Sequence, residues 1–233
     1  MTGEKSEPSR LPGPAGVDLW RGDLDAGDTD LERLRTLLTP SERARADGFA
    51  FDRERRRSAA SRGLLRTLLA RYTKADPRNL VIETGDHGKP RLGGQGDLRF
   101  NVAHSGATWL CAVVRGREVG VDLEEVREDP GHPAMAERYF SANESRTLAA
   151  LPAKERTSAF FRCWTRKEAF LKAKGFGLAL PLDAFDVSLA PGDPPAVLAT
   201  RFDPPEASRW SLLDLDLGPA LAAALALASQ PDP

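Results

Sequence analysis

Glu168 and Lys172 are the residues of this sequence that most clearly suggest chemistry. They stand four positions apart in Phe160–Gly177, a segment that predicts one helix because its apolar residues recur at helical spacing and glycines close it. The pair lies on the same face of the helix as Trp164, so we expect it at the edge of the core. Carboxylate and amine groups are among those that enzymes use for proton transfer. A solvated ion pair explains the same spacing. The segment alone leaves both interpretations open.

Asp122 and Glu124 form a second candidate group, on the predicted strand Val119–Leu123 and just beyond it. Side chains alternate along a strand, so the two carboxylates share one face and Val119, Val121 and Leu123 share the other. Their repulsion costs free energy unless a cation lies between them. A divalent ion bound by oxygen atoms and substrate phosphates is the usual remedy. Two solvated acids at an exposed strand end are the other interpretation.

Arginines are concentrated in the segment Ser41–Tyr72. They are Arg43, Arg45, Arg53, Arg55, Arg56, Arg57, Arg62, Arg66 and Arg71. Guanidinium groups pair bidentately with phosphate, which indicates a site for a multiply charged anion, and an Arg-rich solvated helix face is the alternative. No aromatic residue interleaves with the arginines between Arg53 and Arg71, so a stacking platform is missing and nucleic acid is not an expected partner.

The composition is typical of a cytoplasmic protein with its own core. The chain has 233 residues, 41% of them hydrophobic, and a net charge of −1. Cys111 and Cys163 both lie in apolar strings, which fits buried thiols in a reducing compartment better than a disulfide framework. No apolar run of about 18 residues and no export signal is visible. We therefore expect a soluble, cytoplasmic protein without a membrane partner.

Helices and strands must hold these groups in place. Residues 1–16 predict a disordered lead, because they are polar and rich in proline. Helices are predicted at Asp30–Leu38, within Ser41–Tyr72, and at Pro133–Phe140, Ser141–Leu151 and Lys154–Lys174; strands at Val17–Arg21, Leu80–Glu83, Leu98–Val102, Trp109–Val114, Val119–Leu123, Phe185–Leu189, Ala196–Thr200 and Trp210–Leu217. Ala220–Ala228 fits either a helix or a last buried strand. The second half repeats the element order of the first, with a seam near Val114–Gly120.

Four sequence blocks in order resemble those of a known family. They are Gly88–Pro90 (GKP), Phe100–Ser105 (FNVAHS), Gly120–Glu124 (GVDLE) and Trp164–Gly175 (WTRKEAFLKAKG). Together they are similar to the 4′-phosphopantetheinyl transferase superfamily, in its monomeric surfactin-type (Sfp-like) branch. The resemblance implies an α+β fold of two similar α/β halves in one chain, residues 17–118 and 119–233, that form a pseudo-dimer with coenzyme A in the cleft between them.

The resemblance also implies roles for matching residues. Asp122, Glu124 and Glu168 correspond to the carboxylates around Mg²⁺, with Mn²⁺ as an alternative ion; Glu168 would accept the proton of the attacking serine, and Lys172 would offset the charge of the leaving group. The implied coenzyme A contacts are Arg53, Arg62, Lys89, Pro90, Asn101, His104, Ser105 and Lys172. Ala103 departs from the family pattern, since many relatives have a serine there whose hydroxyl helps to hold a phosphate.

The implied activity is transfer of 4′-phosphopantetheine from coenzyme A to a serine of an acyl or peptidyl carrier protein, with release of 3′,5′-ADP, by a monomer. Two alternatives stay open at this point. One is a non-catalytic module that binds coenzyme A or a carrier protein. The other is a Mg²⁺-dependent phosphoester hydrolase.

Overall fold

The chain folds into helices and antiparallel sheets, in a computed structural model that describes residues 7–85, 88–94 and 96–230. The helices are α1 Asp28–Thr36, α2 Pro40–Asp47, α3 Asp52–Thr73, α4 His132–Tyr139, α5 Ala142–Ala150 and α6 Ala153–Lys174. The strands are β1 Ser9–Leu11, β2 Val17–Asp23, β3 Ile82–Thr84, β4 Pro90–Leu92, β5 Leu98–Ser105, β6 Thr108–Arg115, β7 Val119–Glu125, β8 Phe185–Val187, β9 Val197–Thr200, β10 Trp210–Asp214 and β11 Leu221–Ala228. This mixture of helices and sheets confirms the predicted α+β class.

The two main sheets repeat one topology. The first has the strand order β1-β2-β6-β5 and the second the order β10-β11-β7, and all their pairings are antiparallel. In each case a strand (β2 or β7) is followed by three helices, a small hairpin (β3-β4 or β8-β9) and two more strands. The last strand of the second unit, β11, lies between β7 and β10 just as β6 lies between β2 and β5.

The sheets pack face to face, and a long helix covers the outer face of each. Val17, Leu19 and Leu110 of the first sheet pack against Val121 and Leu225 of the second in one buried cluster. Alternate residues of the same strands point outward, toward α3 in the first unit and α6 in the second. The result is a four-layer arrangement of helix, sheet, sheet and helix.

Local signals explain where the helices begin and end. Thr39 and Glu42 form a capping box before α2, and Ser141 and Glu144 form one before α5. Helix α6 ends at Gly175, whose φ of 72° belongs to the left-handed region that glycine adopts without strain. The glycines expected to stop this helix therefore do so.

The structure differs from the sequence prediction at three places. Part of the predicted disordered lead is ordered: Ser9–Leu11 pairs with β2, because that strand would otherwise leave its backbone edge unpaired, while residues 1–6 lie outside the described part. The Arg-rich segment is two helices, α2 and α3, interrupted around Phe49 and Phe51. The ambiguous alanine-rich stretch is strand β11, since it pairs on both sides and its small side chains allow α6 to pack closely.

Membrane spans and disulfides are both missing from the described residues. None of their helices has the length and apolar character needed to cross a bilayer. Cys111 and Cys163 are buried and unpaired, as the sequence predicts.

A fully buried ion pair anchors α6 next to the predicted base. Lys167 lies 2.8 Å from Glu144, with side-chain exposures of 0% and 1%. The ammonium group also donates to the carbonyl oxygens of Leu182 and Phe185, and Glu144 accepts the backbone N–H of Val187. Because every donor of the lysine is used, α5, α6 and β8 are fixed to one another at this point.

We predict that Lys167→Met lowers the free energy of unfolding by about 3–5 kcal/mol, because it leaves the Glu144 carboxylate buried without its cation. The double variant with Glu144→Gln should lose less than the sum of the two single variants. Urea unfolding followed by circular dichroism measures both. Lys154→Met, at an exposed position of the same helix, is the matched control and should change stability by less than about 0.5 kcal/mol. A loss as small as that of the control would contradict the prediction.

Candidate active site

A cavity of about 840 Å³ lies between α2, α3, the β3-β4 hairpin and the end of β5. One face of α3 supplies most of a wall, because residues three and four apart stack on a helix. The α3 residues that line it are Glu54, Arg57, Ser58, Ser61, Arg62, Leu65 and Arg66. Phe49, Leu80, Val81 and Val102 add an apolar side. The cavity therefore combines apolar surface with a row of hydrogen-bond donors.

The cavity is cationic, although two carboxylates, Glu42 and Glu54, line it together with four arginines. Glu42 accepts hydrogen bonds from Arg62 Nε at 2.5 Å and from Arg66 Nε at 2.7 Å. Burial alone would raise the pKa of Glu42, but the hydrogen bonds from Arg66, Thr39 and Arg62 outweigh it and lower the pKa to about 2. Within the described residues the Nη groups of Arg62 have no hydrogen-bond partner, so they are available to an anion in the cavity.

A cluster of acids and one lysine forms where β7 meets α6. Asp122 is 4% exposed, and its Oδ1 accepts a hydrogen bond from Lys172 Nζ at 2.5 Å. Its other oxygen, Oδ2, is buried and has no hydrogen-bond partner among the residues that the structure describes. The elements approach this closely because of Gly120, where an added Cβ would lie 2.1 Å from the Ala169 carbonyl oxygen. Backbone contact at Gly120 therefore brings the carboxylates of β7 to the row of α6 that carries Lys172.

Two carboxylates of the cluster, those of Asp122 and Glu168, have raised pKa values. Burial raises the pKa of Asp122 to about 7, against the attraction of Lys172 and with the added repulsion of Glu124 and Glu168. Burial likewise raises the pKa of Glu168, again opposed by Lys172 and reinforced by Glu124. The three carboxylates are thus close enough to affect one another electrostatically, and each gains from a nearby cation.

The three carboxylates of Asp122, Glu124 and Glu168 fit a hard divalent cation, because such an ion prefers oxygen ligands. Among the described residues, Asp122 Oδ2 has no hydrogen-bond partner and is free to bind one. The three side chains are nevertheless not arranged as a finished metal site: across the described ranges, no three His, Cys, Asp or Glu side chains stand close enough together to hold an ion. Lys172 supplies the positive charge at Asp122 in this conformation. The sequence prediction that Asp122, Glu124 and Glu168 share one ion stays a prediction.

The cationic cavity opens beside the acidic cluster at the end of β5. His104 and Ser105 line the cavity, and Ser105 Oγ donates to Glu124 Oε2 at 2.9 Å. Desolvation by the cavity wall lowers the pKa of His104, and repulsion by Lys172 adds to this. Ala103 points the other way, into the core between the sheets. An anion in the cavity would therefore lie with one end against the acid–lysine cluster.

Comparisons with known proteins identify the family of the chain. Residues 118–227 match the sequence family described as the 4′-phosphopantetheinyl transferase superfamily, and residues 25–115 match the one described as 4′-phosphopantetheinyl transferase, N-terminal. The chain is 39% identical to the 4′-phosphopantetheinyl transferase HetI of a Nostoc species, over 91% of this chain and 87% of the relative. It belongs to the 4′-phosphopantetheinyl transferase superfamily.

Further members of the superfamily are similar over shorter spans. The 4′-phosphopantetheinyl transferase Sfp of Bacillus subtilis is 32% identical over 68% of this chain and 69% of its own length. The solved structure of Thermotoga maritima holo-[acyl-carrier-protein] synthase overlaps 49% of this chain and 64% of its own at 23% identity, with a TM-score of 0.38, which is too low to bear on the fold. Superfamily membership therefore rests on the sequence matches.

Of the eight residues that the superfamily resemblance predicts as coenzyme A contacts, four line the cavity, one lies in the adjoining cluster and three lie elsewhere. Arg62, Pro90, His104 and Ser105 line it, and Lys172 lies in the adjoining cluster. Arg53 is turned to solvent with a side-chain exposure of 71%, and it pairs with its neighbour Glu54. Asn101 is buried, and its side-chain oxygen accepts the backbone N–H of Val121.

Lys89 is the third residue that the structure places elsewhere. Its ammonium group donates to Glu118, to the Val119 carbonyl and to the Ala173 carbonyl, so that no N–H is left for a ligand. Lys89 and Asn101 therefore connect the two units, because their polar groups find partners across the seam rather than in the cavity.

Reasoning from the transferase motifs did not identify several polar residues of the cavity, among them Arg45, Arg57 and Ser58. Ser58 precedes Arg62 by four residues, so helical spacing from that arginine could have found it. Arg57 pairs bidentately with Asp25, at 2.7 and 2.8 Å. Arg45 belongs to the separate helix α2, and no spacing argument along α3 reaches it.

We predict that Glu42 stabilises the protein above pH 4.5 and progressively less as the pH falls toward 2. Its folded-state pKa of about 2 is below the ordinary value of 4.5, so unfolding takes up a proton in this range. The wild type should exceed Glu42→Gln in free energy of unfolding by about 2–3 kcal/mol at pH 6, and by much less near pH 2. Urea unfolding across this range measures the difference.

Glu32→Gln, which removes an exposed acid of α1, corrects that comparison for the loss of one negative charge. An advantage of the wild type over Glu42→Gln that is the same at pH 6 and at pH 2.5 would contradict the prediction.

Proposed function

We propose that this chain transfers the 4′-phosphopantetheine group of coenzyme A to a serine hydroxyl of an acyl or peptidyl carrier protein, and so converts the carrier from its apo to its holo form. The observation that carries the proposal is a cationic cavity that opens onto a buried acid–lysine cluster, in a chain of this superfamily. The cationic cavity would bind the polyanionic donor, coenzyme A. The acid–lysine cluster would carry out the transfer at the end of the cavity that it adjoins.

Coenzyme A binds by its phosphates and its base to different parts of the cavity. Arg45, Arg57 and Arg62 offer guanidinium groups to phosphate oxygens, and His104 lies at the end nearest the cluster. Phe49, Leu80 and Val102 give the nucleobase an apolar surface. The wall carries four arginines and two carboxylates, and Glu42 is neutralised by two of those arginines, so the wall favours an anion.

Asp122, Glu124 and Glu168 would hold Mg²⁺, with Mn²⁺ as a substitute. The buried and unpartnered Oδ2 of Asp122, together with three oxygen-donor side chains, supports this assignment. When bound, the ion neutralises charge on the pyrophosphate of coenzyme A.

Glu168 accepts the proton of the attacking serine. Its raised pKa favours this, because a carboxylate that binds a proton more strongly is a better base near neutral pH. The serine oxygen forms a bond to the β-phosphorus of the pyrophosphate while the bond from that phosphorus to the bridging oxygen breaks, and 3′,5′-ADP leaves. Lys172, half-buried beside Asp122, offsets the charge that develops on the departing group.

The setting of the reaction follows from the same features. The two units, residues 17–118 and 119–233, place cations and acids on opposite sides of one seam, so a single chain supplies the whole site and acts as a monomer. The two buried, unpaired cysteines favour a cytoplasmic location. The partners are coenzyme A and a carrier protein.

Mass spectrometry of an apo carrier protein incubated with coenzyme A and Mg²⁺ tests the proposal. A gain of the phosphopantetheine mass on the carrier, with release of 3′,5′-ADP, is expected. Tight binding without modification would favour a non-catalytic module. Consumption of coenzyme A without carrier modification would favour a hydrolase.

We predict that Glu168→Gln lowers kcat by about 10²–10⁴-fold, because the amide cannot accept the serine proton. Turnover of the carrier under saturating coenzyme A measures the effect. Glu155→Gln in the first turn of the same helix is the control and should turn over normally. Near-normal turnover of Glu168→Gln would remove the proposed base.

We predict that Arg62→Ala raises KM for coenzyme A by about 10–100-fold and lowers kcat much less, since charge-assisted hydrogen bonds to a phosphate contribute about 1.5–3 kcal/mol. Steady-state kinetics with coenzyme A as the varied substrate measures both constants. Arg53→Ala, which removes an arginine of the same helix that is turned to solvent, should leave KM nearly unchanged. Equal effects of the two variants would place the phosphates elsewhere.

A further inference from the structure

Lys89 occupies an unusual position for a lysine. It precedes β4 in the first unit, yet its side chain is 7% exposed and its ammonium group lies in the second unit. Nζ donates to Glu118 Oε2 at 2.6 Å, to the Val119 carbonyl oxygen at 3.1 Å and to the Ala173 carbonyl oxygen at 2.8 Å. Three donors meet three acceptors, so the group is fully used.

The two carbonyl groups belong to the two elements that carry the acid–lysine cluster. Val119 is the first residue of β7, three positions before Asp122. Ala173 is in the last turn of α6 and directly follows Lys172. One ammonium group therefore holds the start of the strand to the end of the helix.

The geometry around Lys89 shows why a cation is suited to this place. The last carbonyl groups of a helix lack partners within the helix and carry partial negative charge, which a lysine at the C-terminus satisfies. The aliphatic stem packs on Gly175, where an added Cβ would lie 3.4 Å from Lys89 Cδ. Glu118 balances the charge and is itself held by Arg99 at 3.1 Å.

The second contact between the same elements is the backbone approach at Gly120. An added Cβ there would lie 2.1 Å from the Ala169 oxygen and 2.4 Å from the Ala173 nitrogen. Gly120 permits the approach, whereas Lys89 bonds both sides of it. The ion pair of Asp122 with Lys172 also joins the two elements, and the bonds of Lys89 add a second polar connection next to it.

We propose that Lys89 is a positioning residue that sets the distance between β7 and α6, and through it the distance between the carboxylates of Asp122 and Glu168. It acts from the first unit on a cluster that belongs wholly to the second, and it does not contact coenzyme A through its ammonium group. The proposal rests on the proposed function, because it assigns to those carboxylates the binding of a divalent ion.

The experiment compares Lys89→Met with the wild type in two binding measurements that need no turnover. The first is Mn²⁺ affinity, from electron paramagnetic resonance of free Mn²⁺ in the presence of coenzyme A. The second is the affinity for 3′,5′-ADP without metal, from isothermal titration calorimetry. A positioning role predicts Mn²⁺ binding weakened by about 10–100-fold, as is usual when support of metal ligands is lost. The affinity for 3′,5′-ADP should change by less than about twofold.

Arg99→Met is the matched control, because it removes the other cation on Glu118 and leaves the two carbonyl contacts intact. It should bind Mn²⁺ as the wild type does. Lys89→Gln, which keeps a polar group in the slot, replaces Lys89→Met if that variant does not fold. Failure of both to fold would count against the proposal, since Lys89 would then supply stability rather than spacing.

Two results would overturn the inference. Weaker binding of 3′,5′-ADP with normal Mn²⁺ affinity would make Lys89 a direct ligand of the nucleotide, and unchanged affinities for both would leave it no role in the site. Failure of the proposed function gives a different result: the wild type itself would not modify a carrier protein, or would bind no Mn²⁺.

Discussion

The contact of β7 with α6 at Gly120 is the constraint on which the rest of the molecule depends. Backbone atoms of the strand and the helix touch there, with no side chain between them. This approach places Asp122 in the interior beside Lys172, where a carboxylate is retained only with a cation next to it. Any larger residue at Gly120 would separate the two elements and divide the cluster. Because glycine has no side chain, Gly120 determines both the packing of β7 on α6 and the electrostatics of the cluster beside it.

Charge is balanced locally on both sides of the seam. In the cavity, Glu42 is neutralised by Arg62 and Arg66, and those arginines are held in place by the same bonds. In the cluster, Lys172 faces three acids, so the cluster keeps an excess of negative charge that favours a further cation. The net charge of −1 conceals this separation, because the cationic and acidic regions cancel in the sum. A polyanion and a divalent ion together would satisfy both regions.

The repeated topology has been used for different chemistry in the two units. Each unit packs a helix of 22 residues on an antiparallel sheet. The first helix, α3, turns arginines and serines toward the cavity, whereas α6 turns Glu168 and Lys172 toward β7. The units are joined by polar bonds from the first to the second, through Lys89, Asn101 and Ser105. The cavity of the first unit and the acid–lysine cluster of the second therefore adjoin at the seam.

The sequence by itself determined the class of the fold and most of the elements, and it singled out the residues of the acid–lysine cluster, whereas the pairing of Asp122 with Lys172 came from the tertiary structure. These follow from local patterns: alternation on β7 sets which face carries Asp122, and helical spacing puts Glu168 one turn before Lys172. The motifs also indicated the superfamily, which the comparisons confirm. Tertiary structure alone decided that Lys89 and Asn101 bond across the seam, that Arg53 faces solvent and that Ala220–Ala228 is a strand. For Lys89, Asn101 and β11 the deciding partner is distant in sequence, and no local pattern records which of several acceptors a long polar side chain will reach. Arg53 faces solvent because tertiary packing sets which side of α3 lies against the cavity.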